Sequence, residues 1–252
     1  MIVKHQQAIG AIEARNSVVN LTITGTVVAT FREPGTGQIA GRAVLASQGD
    51  MSLLAMVFDN VPDYPHEKFG FDGNDVSIGY VRPGARSTFG DFVLTNKSVI
   101  KQGLLGGVLS HAWPLFDDTG KRGKSEVGGT KKFADRHAIE VKYFPKGGSD
   151  LRISFFFDAE TFQHIRTEYS KVVASQMGAT PELSARQFET RYKMVEEFSD
   201  FKNEGDLSLP HSYNIKLEIR AQRGSFDADW QLTLTNFSFN ESIDPKAFDV
   251  DG

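Results

Sequence analysis

Three long runs between residues 187 and 239 alternate apolar and polar side chains with a period of two. Phe188, Tyr192, Met194 and Phe198 share one parity of the first run, opposite Glu189, Arg191, Lys193 and Glu197. In the second, Tyr213, Ile215, Leu217, Ile219 and Ala221 oppose Ser212, Asn214, Lys216, Glu218, Arg220 and Gln222. In the third, Ala228, Trp230, Leu232 and Leu234 oppose Asp229, Gln231, Thr233 and Thr235. Alternation sustained this long means strands with one apolar and one wet face. The connections, 202–210 and Arg223-Gly224-Ser225, are short enough to make these strands antiparallel neighbours. An antiparallel meander with one apolar face is expected, and whatever covers that face decides what the chain does.

The rest of the chain extends this pattern. A short helix is expected over 3–14, then a strand over 17–32 with Val19, Leu21, Ile23, Val27, Ala29 and Phe31 on one face. Gly25 interrupts that row, which predicts a bulge in a curving sheet. Strands follow over 38–47 and 51–58, then a connection over 61–65. A hairpin is expected between 68–71 and 76–81 around Asp72-Gly73-Asn74-Asp75. Ser87 or Thr88 can cap a helix containing Phe89, Phe92 and Val93. Ser98 can cap a second, with Ile100, Leu104, Leu105, Val108 and Leu109. Gly103, Gly106 and Gly107 weaken that second helix by about 1 kcal/mol each. Residues 117–135 read as a polar, mobile loop, and 174–185 as a second long connection. Strands are expected over 137–144, 151–157 and 162–173, with Phe155-Phe156-Phe157 apolar on both faces. The fold class is mainly β with a minor α component (α+β). It is a curved antiparallel sheet or half-open β-barrel of about ten or eleven strands, in one domain spanning 1–252. It carries an N-terminal helix and a helical lid insertion near 86–116.

Composition narrows the function classes. Phe is over-used, with 20 against 6 Tyr and 2 Trp, which suits an apolar interior or cavity. A net charge of −4 argues against nucleic-acid binding. With no cysteine, disulfides, thiolate metal sites and cysteine nucleophiles are excluded. The opening Ile2-Val3-Lys4-His5-Gln6-Gln7 lacks the apolar stretch of a secretory leader, so either a cytosolic chain or a mature domain is expected. No apolar run approaches the roughly 18 residues of a membrane span.

Motifs for chemistry fail one after another. Gly123-Lys124-Ser125 resembles the end of a phosphate-binding loop, but Asp118 stands where that motif needs Gly. Lys121, Arg122, Lys124, Lys131 and Lys132 could meet anionic lipid or a partner, although Asp117, Asp118 and Glu126 dilute them towards a solvated loop. The histidines His5, His66, His111, His137, His164 and His211 have no ligand spacing, so no metal is expected and each reads as a surface or capping residue. Glu196 and Glu197 point to opposite faces and cannot act as a pair. Glu196 falls on the apolar parity and needs a partner there, such as Arg or water, in a salt bridge or at a cavity mouth. No Gly-x-Ser-x-Gly occurs. The spacing Gly103-x-x-x-Gly107 would let a helix sit close to a sheet.

In element order the chain resembles the LolA/LolB-type bacterial lipoprotein-carrier superfamily. The residues are Ala8-Ile9-Gly10-Ala11 leading into the strand from Val19 to Phe31, the insertion Leu104-Leu105-Gly106-Gly107-Val108-Leu109, and Phe155-Phe156-Phe157-Asp158-Ala159-Glu160-Thr161-Phe162. Glu197-Phe198-Ser199-Asp200-Phe201, Leu209-Pro210-His211 and the close through Phe239-Asn240, Pro245 and Phe248 complete it. The resemblance implies a half-barrel whose helices close over an apolar cavity that holds acyl chains and performs no chemistry, without cofactor. It implies a periplasmic or otherwise extracytoplasmic monomer that meets lipid or acylated lipoprotein and membrane-associated transport proteins. The anchoring Cys of the outer-membrane receptor type is absent, so the soluble type is the nearer match. The ligand-binding candidates are Val19, Leu21, Ile23, Phe155, Phe157, Tyr192, Met194, Trp230 and Leu232 on the sheet. Phe92, Leu104, Leu105 and Leu109 are the lid candidates. The alternative is a protein-binding scaffold in which the same residues pack on one another and leave no cavity.

Overall fold

The first strand and the last pair with each other in the middle of the sheet. In the computed structural model, which describes residues 1–116, 123–133, 136–174, 189–222 and 224–250, β1 (Asn20–Glu33) lies antiparallel to β12 (Gly224–Phe239). From β1 the chain winds outward through β2 (Gly37–Gln48), β3 (Met51–Val57), β4 (His66–Phe71) and β5 (Val76–Ile78) to one edge. It then reaches β6 (Gly123–Phe133) at the opposite edge. It returns inward through β7 (Arg136–Pro145), β8 (Arg152–Asp158), β9 (His164–Val173), β10 (Thr190–Glu204) and β11 (Leu207–Ala221) to β12. Every pairing is antiparallel, and the sheet curves without closing.

This winding explains the insertion. The segment joining β5 to β6 must cross from one edge of the sheet to the other, and it does so over the inner face. It carries α3 (Thr88–Thr95), α4 (Ser98–Lys101) and 3-10 turns at Gly107–Leu109 and Pro114–Phe116. Ser87 caps α3, its hydroxyl oxygen accepting from the Gly90 N–H at 2.8 Å. The second expected helix stops at Lys101, because Gly103, Gly106 and Gly107 all take positive φ. A side chain at Gly103 would strike the Ala112 carbonyl. The N-terminal helix is also two pieces, α1 (Ile2–Ile9) and α2 (Ile12–Ser17), divided at Gly10, where a Cβ would lie 2.7 Å from the Asp206 carbonyl oxygen.

The expected bulge is present: the β1–β12 register shifts between Thr24 and Gly25, and a Cβ on Gly25 would lie 2.0 Å from the Thr233 carbonyl oxygen. Phe155 and Phe157 face inward while Phe156 is buried on the outer face under Phe133 and Lys131, so β8 is apolar on both sides. Two expectations need correction. Twelve strands are present among the described residues, because 123–133, read as loop, is edge strand β6. Its side chains are mostly exposed and several are charged, which protects an edge but erases the alternation that marks a strand. Most of the connection expected over 202–210 is strand, with β10 and β11 meeting at the tight turn Gly205-Asp206. The second long connection lies, but for Ala174, outside the described residues, as does Phe188.

Candidate functional site

The insertion is held to the inner face by buried polar groups as well as by apolar packing. Glu196 on β10 is fully buried. Its Oε1 accepts from the Gly106 N–H of the insertion at 2.8 Å and from the Tyr213 hydroxyl at 2.5 Å. Its Oε2 accepts from the Tyr169 hydroxyl at 2.6 Å, and that hydroxyl also lies 3.3 Å from the Leu104 carbonyl. The expected Arg or water is replaced by two phenols and a backbone amide. Burial pushes the Glu196 carboxyl up to about 7, and the three hydrogen bonds pull against that rise. Burial, with Glu196 alongside, pushes both phenols well above their usual range, so they remain donors.

A second buried carboxylate holds the start of the insertion. Glu67 on β4 accepts from Tyr64 and is hydrogen-bonded to Ser87, the cap of α3. Burial raises its pKa to about 7 as well. Tyr64 in turn accepts from the Trp230 indole N–H at 3.0 Å, and Trp230 packs on Phe89 of α3 at a ring separation of 4.5 Å.

Two histidines read as surface groups belong instead to the core. His5 of α1 is fully buried, with Nδ1 3.0 Å from the Phe162 carbonyl and Nε2 3.1 Å from the Trp113 indole nitrogen. A carbonyl and an indole N–H fix the neutral tautomer with the proton on Nδ1. Burial lowers the His5 pKa to about 4. His164 lies between Trp113 and Phe198, each ring 4.7 Å away, and burial holds it well below the usual histidine value. Its Nδ1 has no hydrogen-bond partner, and a Cβ on Gly107 would lie 2.8 Å from that atom. Neither parity nor spacing betrays these two, because a lone His on an apolar face carries no signature of its partners.

Most predicted site residues do come together on the inner face or against it. Leu21, Ile23, Phe155, Phe157, Met194, Trp230 and Leu232 of the sheet are buried, as are Phe92, Leu104 and Leu109 of the insertion. Leu105 and Tyr192 are partly buried against the same core. Val19 does not join them. It precedes β1, is 60% exposed, and its N–H donates to the Asn240 side chain at the surface. The space between insertion and sheet is nearly filled: the gap over β2–β4, bordered by Leu105 and Leu109, holds only about 20 Å³.

Larger cavities lie at the margins of the insertion. One of about 330 Å³ sits where β1 and β11 begin, walled by Ile9, Val18, Leu21, Val108, Leu207 and Leu209, with Arg15, Asn16, Ser110, His111 and Phe116 completing its lining. Another of about 350 Å³ lies beside α3, between Phe92, Tyr192, Val173 and Ile219, with Asp91 and Lys171 at its border. A wider groove of about 850 Å³ beside β7–β9 mixes the charged Lys131, Glu140, Lys142, Arg152 and Glu168 with Tyr143, Phe144, Leu151 and Ile153. Among the described residues no cluster of His, Asp and Glu could hold a metal. No helix there is long and apolar enough to cross a membrane, which says nothing of β-barrel spans.

No protein-family model and no curated protein sequence matches the chain. Solved structures do. A LolA superfamily protein from Nitrosomonas europaea superposes with a TM-score of 0.51 at 10% identity, covering 98% of this chain and 95% of that one. A DUF1329 family protein from Desulfovibrio piger superposes at 0.50 with 8% identity over the same shares. The fold is LolA-like.

Proposed function

We propose that the chain is a non-enzymatic carrier or sensor that shelters an acyl chain, from lipid or from an acylated lipoprotein, outside the cytoplasm. The observation that carries the reading is the cavity of about 330 Å³ at the rim of the half-barrel, with an aliphatic wall of Ile9, Val18, Leu21, Val108, Leu207 and Leu209 and a polar side at Arg15, Asn16, Ser110 and His111. That volume lies at the lower end of the range for small-molecule sites. It has room for roughly ten groups the size of a water molecule, taking ~30 Å³ each. A chain of about ten methylenes would gain about 8 kcal/mol from burial before ordering costs. The likeness of fold to the LolA superfamily is an analogy that agrees with this reading. The buried carboxylates support the non-enzymatic part, because Glu196 and Glu67 are spent on holding the insertion and face no solvent.

The test is mass spectrometry of an organic-solvent extract of the purified protein, followed by titration of the delipidated protein with fatty acids and diacyl lipids. A stoichiometric lipid, or saturable rebinding, supports the carrier. A clean extract with no rebinding favours the second reading, a protein-binding scaffold, to which the close packing of the insertion over β2–β4 lends weight.

A further inference from the structure

We infer that the rim cavity selects a single-chain amphiphile with an anionic head, and that Arg15 is the residue that reads the head. The inference deepens the carrier reading and rests on it, since it takes the rim cavity to be the acyl site. Arg15 is the only cation lining the cavity among the described residues, and no carboxylate lines it. The remaining walls are mostly aliphatic, with the polar groups of Asn16, Ser110 and His111 among them. The guanidinium is held in place rather than neutralised. Its Nε donates to the Gly10 carbonyl at 3.2 Å, and among the described residues no carboxylate forms an ion pair with it.

The local fold explains why the cation is there. Gly10 separates α1 from α2 and seats that joint against the Asp206 carbonyl at the β10–β11 turn, where any side chain would collide. Arg15 falls in the last turn of α2, where positive charge suits the carbonyl end of a helix. Ile9 from α1 and Val18, just after α2, then flank it as apolar wall. A half-buried guanidinium beside an apolar void favours a ligand with a charge at one end and an alkyl chain at the other. It presents fork-shaped donors that match a carboxylate or a phosphate. A cationic or uncharged head would leave that charge unmatched.

Isothermal titration calorimetry at pH 7 tests this with four probes of one chain length: decanoate, decyl phosphate, decanol and decyltrimethylammonium. The expected result is that decanoate or decyl phosphate binds one to one and about ten- to a hundredfold more tightly than decanol, the difference a charge-assisted hydrogen bond makes. Whichever anion binds more tightly names the head. The cation should bind most weakly. Arg15→Gln should bring the anions down to the level of decanol, while Arg15→Lys should keep most of the preference. Val18→Trp, which fills the cavity, should remove binding of every probe. Equal binding of decanol and the anions, or an unchanged preference in Arg15→Gln, overturns the head-group inference and leaves the acyl site standing. Failure of every probe to bind the folded wild type, or undiminished binding by Val18→Trp, overturns the rim site itself.

Discussion

Replacing Glu196 by Gln separates the charge of this buried group from its shape. The folded-state pKa is about 7 against an ordinary 4.5. A folded-state value raised above the unfolded one means the folded protein binds the extra proton. Stability from this group is therefore complete below about pH 4.5 and is lost as pH rises through 7. A rise of this size corresponds to about 3 kcal/mol. Gln mimics the protonated state. Its oxygen can accept from Gly106 and Tyr213, and its amide can donate to the Tyr169 oxygen, whose own proton then turns to the Leu104 carbonyl 3.3 Å away. The assay is urea unfolding of both proteins from pH 4.5 to 8. His5, His164 and Glu67 titrate in both proteins, so their contributions cancel in the difference. The two proteins should agree within about 1 kcal/mol at pH 4.5, and Glu196→Gln should become the more stable by about 3 kcal/mol at pH 8. A difference that stays constant within about 0.5 kcal/mol over that range, or a Gln variant less stable at pH 8, would refute the reasoning.

Three further outcomes follow from the same geometry. His5 has a folded pKa of about 4 against an ordinary 6.5, so its stability is present above pH 6.5 and lost as pH falls toward 4. Urea unfolding of His5→Gln beside the wild type should show their difference shrink by about 3 kcal/mol over that window, and an unchanged difference would mean His5 is not buried neutral. Gly25→Ala would drive a methyl into the Thr233 carbonyl at the joint between the two halves of the sheet. Thermal or urea unfolding should report a loss of about 3 kcal/mol, at the upper end for overpacking. In a series of fatty acids, calorimetric affinity should rise by about 0.8 kcal/mol per carbon up to about ten carbons and then level off. A rise that continues through eighteen carbons would show that the insertion yields to the ligand.

Alternation made the strands legible where one face is wet, as in the runs Tyr213 to Ala221 and Ala228 to Leu234. Gly25 announced its bulge and Ser87 its cap, because each is a local demand of the backbone. β6 was not legible, since an edge strand exposed on both sides has no reason to alternate. The parity of Glu196 marked it as anomalous but could not name its partners. Tyr169 and Tyr213 are brought to it from the two neighbouring strands by the β9–β10 and β10–β11 registers. The rim cavity was legible only in part. Leu21 was among its expected residues, whereas Ile9, Arg15, Leu207 and Leu209 reach it through the α1–α2 break and a turn tighter than expected.

The crossing path of the insertion separates two events that a simple lid would combine. Lifting it from the inner face would expose Phe89, Trp113, Leu104 and Val108, all buried, at about 1.5–3 kcal/mol each, and would break the Gly106–Glu196 hydrogen bond. A single chain of ten methylenes gains about 8 kcal/mol before ordering costs, so it cannot both displace the insertion and bind with useful affinity. The rim cavity asks for no such displacement, because its walls are already apart. One chain can therefore enter with the insertion in place. A cargo with several chains needs some other source of opening, since a ligand shifts a conformational equilibrium only by its differential affinity for the two states. Ionisation of Glu196 and Glu67 would act in that direction. Glu67 holds the start of the insertion at Ser87 and Glu196 holds it at Gly106; burial raises both carboxyls to about 7, so each supports the closed form more when protonated than when ionised.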